Sequence, residues 1–102
     1  MKPEFDQVAI QKFCRKWGIA EFSFFGSVLR EDFGPDSDID ILVSFEPGHG
    51  ITFDNRPDML DELRMIFGRE VDLVERRALE RSPNYIRRKH ILSHLEQAYV
   101  AR

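Results

Sequence analysis

Apolar positions along the chain follow two periods, and the switches between them mark out the elements. Ile10, Phe13, Cys14 and Trp17 recur at i, i+3, i+4 and i+7. That is one face of a helix over about 4–17, with Gly18 as its terminating residue. Glu21-Phe22-Ser23-Phe24-Phe25 is short and aromatic and predicts a first strand. Gly26-Ser27 follows at once; about 27–32 suits one helical turn, and Phe33-Gly34-Pro35-Asp36-Ser37 suits a reverse turn. Ile39-Asp40-Ile41-Leu42-Val43-Ser44-Phe45 predicts a second, largely buried strand that ends in the Pro47-Gly48-His49-Gly50 loop.

The second half repeats the alternation. Met59, Leu60, Leu63, Ile66 and Phe67 form an apolar stripe on a helix over about 56–67, closed by Gly68. Glu70-Val71-Asp72-Leu73-Val74-Glu75 predicts a third strand. Ser82-Pro83 has the form of an N-cap followed by proline at the first helical position. It would open a last helix over about 83–100, with Ile91, Leu92, Leu95, Ala98 and Tyr99 on one side. Strands alternating with helices predict an α/β (α+β) fold: a small mixed three-stranded sheet with helices packed on it. The helix between the second and third strands suits a parallel crossover.

Composition narrows the class. A chain of 102 residues predicts a single domain over 1–102, near the low end of independent stability, so a homo- or hetero-oligomeric partner is expected. With 42% hydrophobic and 32% charged residues the balance is that of a folded chain, not a disordered one. A net charge of −3 gives no global basic field of the kind that drives nonspecific DNA binding. Cys14 is the single cysteine, so an internal disulfide is excluded, and its place on the helix stripe predicts a small buried hydrophobe. Met1-Lys2-Pro3-Glu4-Phe5-Asp6 carries no apolar signal core, and no run reaches membrane-spanning length; a cytoplasmic location is the expectation.

Candidate chemistry begins with Asp38 and Asp40. Side chains two apart on a strand point the same way. Like charges about 4 Å apart repel by roughly 4 kcal/mol at an effective dielectric of ~20. Strand propensity spans only about 1 kcal/mol. The pair therefore faces open water or a cation, and hard carboxylate oxygens select Mg²⁺ or Mn²⁺. Alone, Asp-x-Asp fits a turn cap and a solvent-facing residue equally well. Gly26-Ser27 at a strand-to-helix turn lets the backbone approach a phosphate, and Arg30 lies one turn further on. Asp72 is a charge within the otherwise apolar Val71-Asp72-Leu73-Val74; it suits either a metal site or a surface carboxylate. His90 and His94 are four apart but lack a third ligand in sequence, and read as surface or interface histidines. Arg76-Arg77, Arg81 and Arg87-Arg88-Lys89 form a basic cluster that suits a solvated face, an acidic partner or an RNA end.

Together these pieces resemble a known signature. Gly26-Ser27, ten residues, then Asp38-Ile39-Asp40 is similar to the motif of polymerase-β-like nucleotidyltransferases. Phe24-Phe25-Gly26-Ser27-Val28-Leu29-Arg30 with Pro35-Asp36-Ser37-Asp38-Ile39-Asp40-Ile41-Leu42-Val43 resembles the minimal nucleotidyltransferase (MNT) group, and Gly68-Arg69-Glu70-Val71-Asp72-Leu73-Val74 resembles its third-carboxylate strand. A chance match of the four fixed residues is roughly one in a thousand on composition. The resemblance implies the polymerase-β-like fold, with Asp38, Asp40 and Asp72 as catalytic carboxylates and ligands for two Mg²⁺ ions (or Mn²⁺). It implies Gly26, Ser27 and Arg30 at the triphosphate of ATP. The implied reaction is AMP transfer to a hydroxyl, with a tyrosine of a HEPN-domain ribonuclease toxin as acceptor and antitoxin action as outcome. Two other functions stay open: an antitoxin or scaffold that neutralises its partner by binding alone, and a small transferase acting on RNA or a small molecule. The chain departs from the group's pattern at Val28, Leu29 and the polar loop 46–56.

Overall fold

Helix α1 (Gln7–Trp17) opens where the Asp6 carboxylate accepts from the Val8 and Ala9 N–H groups at 3.0 and 3.1 Å. Those are backbone donors the helix itself leaves unmatched. It closes at Gly18, whose left-handed φ of 69° costs a glycine nothing. A computed structural model describes residues 5–26, 34 and 37–101. Strand β1 (Ile19–Phe25) follows, then β2 (Ile39–Phe45), α2 (Arg56–Phe67) and β3 (Val71–Glu75). A short α3 (Arg76–Glu80), α4 (Tyr85–Ser93) and β4 (Glu96–Val100) complete the order. The expected single turn over about 27–32 lies outside the described residues. The turn before β2 is visible at its ends, where the Ser37 N–H donates to the Gly34 carbonyl at 3.1 Å.

The sheet has four strands in the order β3-β2-β1-β4. β1 runs antiparallel to β2 and β4, and β2 runs parallel to β3 through the α2 crossover. The sheet is mixed, as the alternation predicts, but it carries one strand more than the three expected. The expected helix over 83–100 stops at Ser93, and Glu96–Val100 becomes β4. Two forces override the helical stripe. β1 offers a second edge of buried backbone that needs partners, and the tail supplies them, pairing Phe22 with Tyr99 and Ser23 with Gln97. Tyr99 and Val100 also prefer the pleated surface. The N-cap of α4 is Asn84 and not Ser82; the Asn84 side chain accepts from the Arg87 N–H at 3.0 Å.

The two sheet faces are unequal. Phe22, Phe24, Ile39, Ile41, Val43 and Leu73 point to the face covered by α1 and α2, where Ile10, Phe13, Cys14, Met59, Leu63 and Phe67 meet them. The opposite face carries a smaller cluster of Phe25, Leu42, Leu79 and Ile91. Strand periodicity sends Asp40 to this thinner side with Leu42. Cys14 is fully buried, as its position on the stripe predicts, and burial pushes its thiol up to about 12. Among the described residues no helix is long and apolar enough to cross a membrane.

Phe22 is 0% exposed and its ring lies 5.7–6.5 Å from those of Phe13, Phe24 and Phe67. Phe22→Ala is expected to cost about 3–5 kcal/mol by lost transfer energy and a residual cavity, read by urea unfolding. Cys14 gives a second probe: it should resist thiol reagents in the folded unaltered chain and react on the same urea transition.

Candidate active site

The register between β2 and β3 sets Asp40 beside Asp72. Parallel neighbours lie about 4.8 Å apart along the hydrogen-bonding direction, and directly paired residues share a face. On the other side of β2, Asp40 is paired with Phe25, the last residue of β1. Gly26 comes next with φ of 72°, a conformation that side-chain-bearing residues rarely adopt. A Cβ at Gly26 would stand 2.2 Å from Asp40 Oδ2. Glycine is thus required twice, by its φ and by the carboxylate pressed against its backbone.

Phe25, Gly26, Asp40 and Asp72 form one wall of a cleft of about 280 Å³; Arg87, His90, Ile91 and His94 of the α4 segment form the other. Asp40 is half-buried and Asp72 exposed. Asp72 is therefore not the buried charge its apolar neighbours suggest; the strand's alternation turns it out to the cleft. Side by side, the two carboxylates repel by up to about 3 kcal/mol at an effective dielectric of ~20, less where water screens them. Strand pairing forces them together all the same, and a cation between them would offset the repulsion. Hard oxygen donors fit Mg²⁺ or Mn²⁺.

The other expected site residues divide. Asp38 is exposed two residues before Asp40 and is not among the residues lining the cleft. Among the described residues no three of His, Cys, Asp or Glu converge as a ready metal cluster. Ser27 and Arg30 lie outside the described residues, as do Val28 and Leu29. The turn leading to Asp38 is clamped by Arg69, whose Nη1 donates to the Gly34 carbonyl at 2.9 Å and the Ser37 carbonyl at 3.2 Å. This anchor has a sequence signal only in hindsight: a lone arginine between a helix-closing glycine and a strand. His49 lies at the far end of β1, against Gly18.

His90 and His94, expected from the sequence as surface or interface histidines, are exposed and line the cleft. His90 and His94 have ring centroids 4.9 Å apart. The His94 Nδ1 lies 3.0 Å from the His90 carbonyl and 3.1 Å from Ser93 Oγ. The basic cluster does not act as one patch. Arg76 pairs with Glu21 and Glu80, Arg88 donates to the Ser82 carbonyl, and Lys89 lies 6.0 Å above the Tyr85 ring. Arg87 alone of this group lines the cleft.

A family model described as nucleotidyltransferase domain matches residues 7–95. A protein of Methanocaldococcus jannaschii named "Putative protein adenylyltransferase MJ1379" is 30% identical over 64 residues, 63% of this chain and 64% of that protein. The match thus spans a little under two thirds of that relative. A solved structure described as a "putative minimal nucleotidyltransferase" superposes with a TM-score of 0.68 at 31% identity, covering 88% of this chain and 86% of that one. A toxin–antitoxin crystal structure with AMP-PNP gives a TM-score of 0.71 at 21% identity, over 95% of this chain and 75% of that one. The tri-AMPylated HEPN toxin of Shewanella oneidensis in complex with MNT antitoxin gives 0.62 at 22%, over 93% and 70%. The last two show the shared fold.

Gly26→Ala is the sharpest local test of this geometry. It should cost about 1–2 kcal/mol of stability from the left-handed backbone. Because the new methyl collides with Asp40, cation binding measured by Mn²⁺ relaxation should weaken as well. Arg69→Ala should lower stability by roughly 1 kcal/mol through its lost carbonyl contacts, read by thermal unfolding.

Proposed function

Because this chain belongs to the nucleotidyltransferase domain family, we propose that it transfers AMP from ATP to a hydroxyl of a partner protein, in the manner of an MNT antitoxin acting on a HEPN toxin. One observation carries the reading: Asp40 and Asp72 stand side by side on one face of the sheet, with Gly26 fitted against Asp40. That is a site for divalent cations next to a backbone that admits close approach. Asp38, two residues before Asp40 and outside the lining of the cleft, would have to turn toward this pair to serve as the third carboxylate.

Each residue has a task in this reading. Asp38, Asp40 and Asp72 would hold Mg²⁺, which when bound would neutralise charge on the triphosphate. Gly26 and Ser27 would offer backbone and hydroxyl donors to the phosphates, and Arg30 would add a guanidinium to the same task. Asp72 is exposed to the cleft and accepts the proton of the acceptor hydroxyl. The acceptor oxygen forms a bond to the α-phosphorus, the bond to the bridging α–β oxygen breaks, and pyrophosphate departs. Alignment of the two oxygens contributes more than covalent participation, since positioning and charge supply most of the rate in such transfers. A HEPN-domain tyrosine is the acceptor best matched to this chemistry. The toxin complexes among the fold relatives support that choice.

The test is direct. The chain is incubated with ATP, Mg²⁺ and the HEPN-type protein encoded beside it, and the partner is weighed by mass spectrometry. The expected result is a gain of AMP, reduced roughly 10²–10³-fold by Asp40→Ala, the scale of losing one preorganised charge contact. If the partner is neutralised without any mass gain, and Asp40→Ala neutralises it equally, binding alone is the function.

A further inference from the structure

The wall of the cleft opposite the carboxylates has no role yet, and it is organised. Arg87, His90, Ile91 and His94 recur at i, i+3, i+4 and i+7, one face of the α4 segment, and all four line the cleft. Ile91 fixes the helix's rotation: it is 5% exposed, packed with Phe25, Leu42 and Leu79. Asn84 fixes the first turn by accepting from the Arg87 N–H. The neighbouring cations are turned away, Arg88 to the Ser82 carbonyl and Lys89 to the Tyr85 ring. Among the described residues lining the cleft, Arg87 is the one permanent cation.

We propose that Arg87 is a polyphosphate-binding residue, its guanidinium engaging the β- or γ-phosphate of the nucleoside triphosphate across the cleft from Asp40 and Asp72. The inference rests on the transferase reading above and adds to it a residue of α4, distant in sequence from Gly26, Ser27 and Arg30. The argument is one of charge. A triphosphate is a polyanion, and two adjacent carboxylates repel it. Divalent cations held by the carboxylates would offset that repulsion there. The phosphates that extend past them meet the α4 wall, where a planar fork of donors matches phosphate oxygens in pairs. AMP lacks the phosphates that reach so far, so Arg87 separates triphosphate from monophosphate.

The experiment is calorimetric titration of the full chain with Mg²⁺ and either ATP or AMP, comparing the unaltered protein with Arg87→Gln, Arg87→Lys and Lys89→Gln. Arg87→Gln should weaken ATP binding about ten- to hundred-fold, the scale of a lost charge-assisted contact. AMP affinity should move by less than about threefold, and Lys89→Gln should match the unaltered chain for both ligands. Arg87→Lys keeps the charge and loses the fork, so it should fall between. It also keeps the test decisive if Arg87→Gln fails to fold by circular dichroism: equal ATP affinity in Arg87→Lys and the unaltered chain would then overturn the proposal. Unchanged ATP affinity in folded Arg87→Gln, or an equal loss for ATP and AMP, overturns it while leaving the transferase reading intact. No ATP binding by the unaltered chain removes both.

Discussion

Two like charges held side by side by a hydrogen-bond ladder govern this molecule. The backbone pairing that joins β2 to β3 fixes Asp40 against Asp72, and neither side chain can leave without shifting a register. Ile39, Ile41, Val43 and Leu73 lock that register from the other face, each 2% exposed or less. A slip of one residue would turn those aliphatic groups to water at about 1.5–3 kcal/mol each. The repulsion between the carboxylates is smaller than that sum. Burial on one face therefore enforces proximity on the other, and the core holds together the carboxylates to which the proposed cations would bind.

The division of labour between the faces follows. The thick face, with its aromatic rings and two long helices, provides stability. Among the described residues the thin face is covered by α3, α4 and a small cluster, and a cleft lies between these and the sheet. Gly26 ends β1 at the cleft, where its missing side chain makes space for the Asp40 carboxylate. α4 closes the far side and brings a basic and imidazole surface to face an acidic one. Polar groups thus converge where the core is shallow enough for a ligand to displace water.

Much of this was legible in the sequence, for identifiable reasons. Helix α2 was readable because a glycine closes it and its stripe is unbroken; its expected span agrees with Arg56–Phe67. β2 and β3 were readable as apolar runs separated by a helix. Asp40 and Asp72 stood out because each interrupts such a run, and Gly26 because it follows a strand without a spacer. β4 was not readable: Leu95, Ala98 and Tyr99 continue a helical period by coincidence, and only the open edge of β1 decides their state. The cleft-facing roles of Arg87, His90 and His94 depend on where Ile91 docks, a long-range contact that no local pattern encodes. The carbonyl clamp made by Arg69 is hidden for the same reason.

The stored repulsion is most directly tested by thermal unfolding of the unaltered chain and of Asp72→Asn, each with and without Mg²⁺. Removing one of two opposed charges should raise the melting temperature of the metal-free protein by a few degrees and remove most of the further rise that Mg²⁺ gives the unaltered chain. A metal-free Asp72→Asn protein that melts lower than the unaltered one and still gains as much from Mg²⁺ would contradict the account.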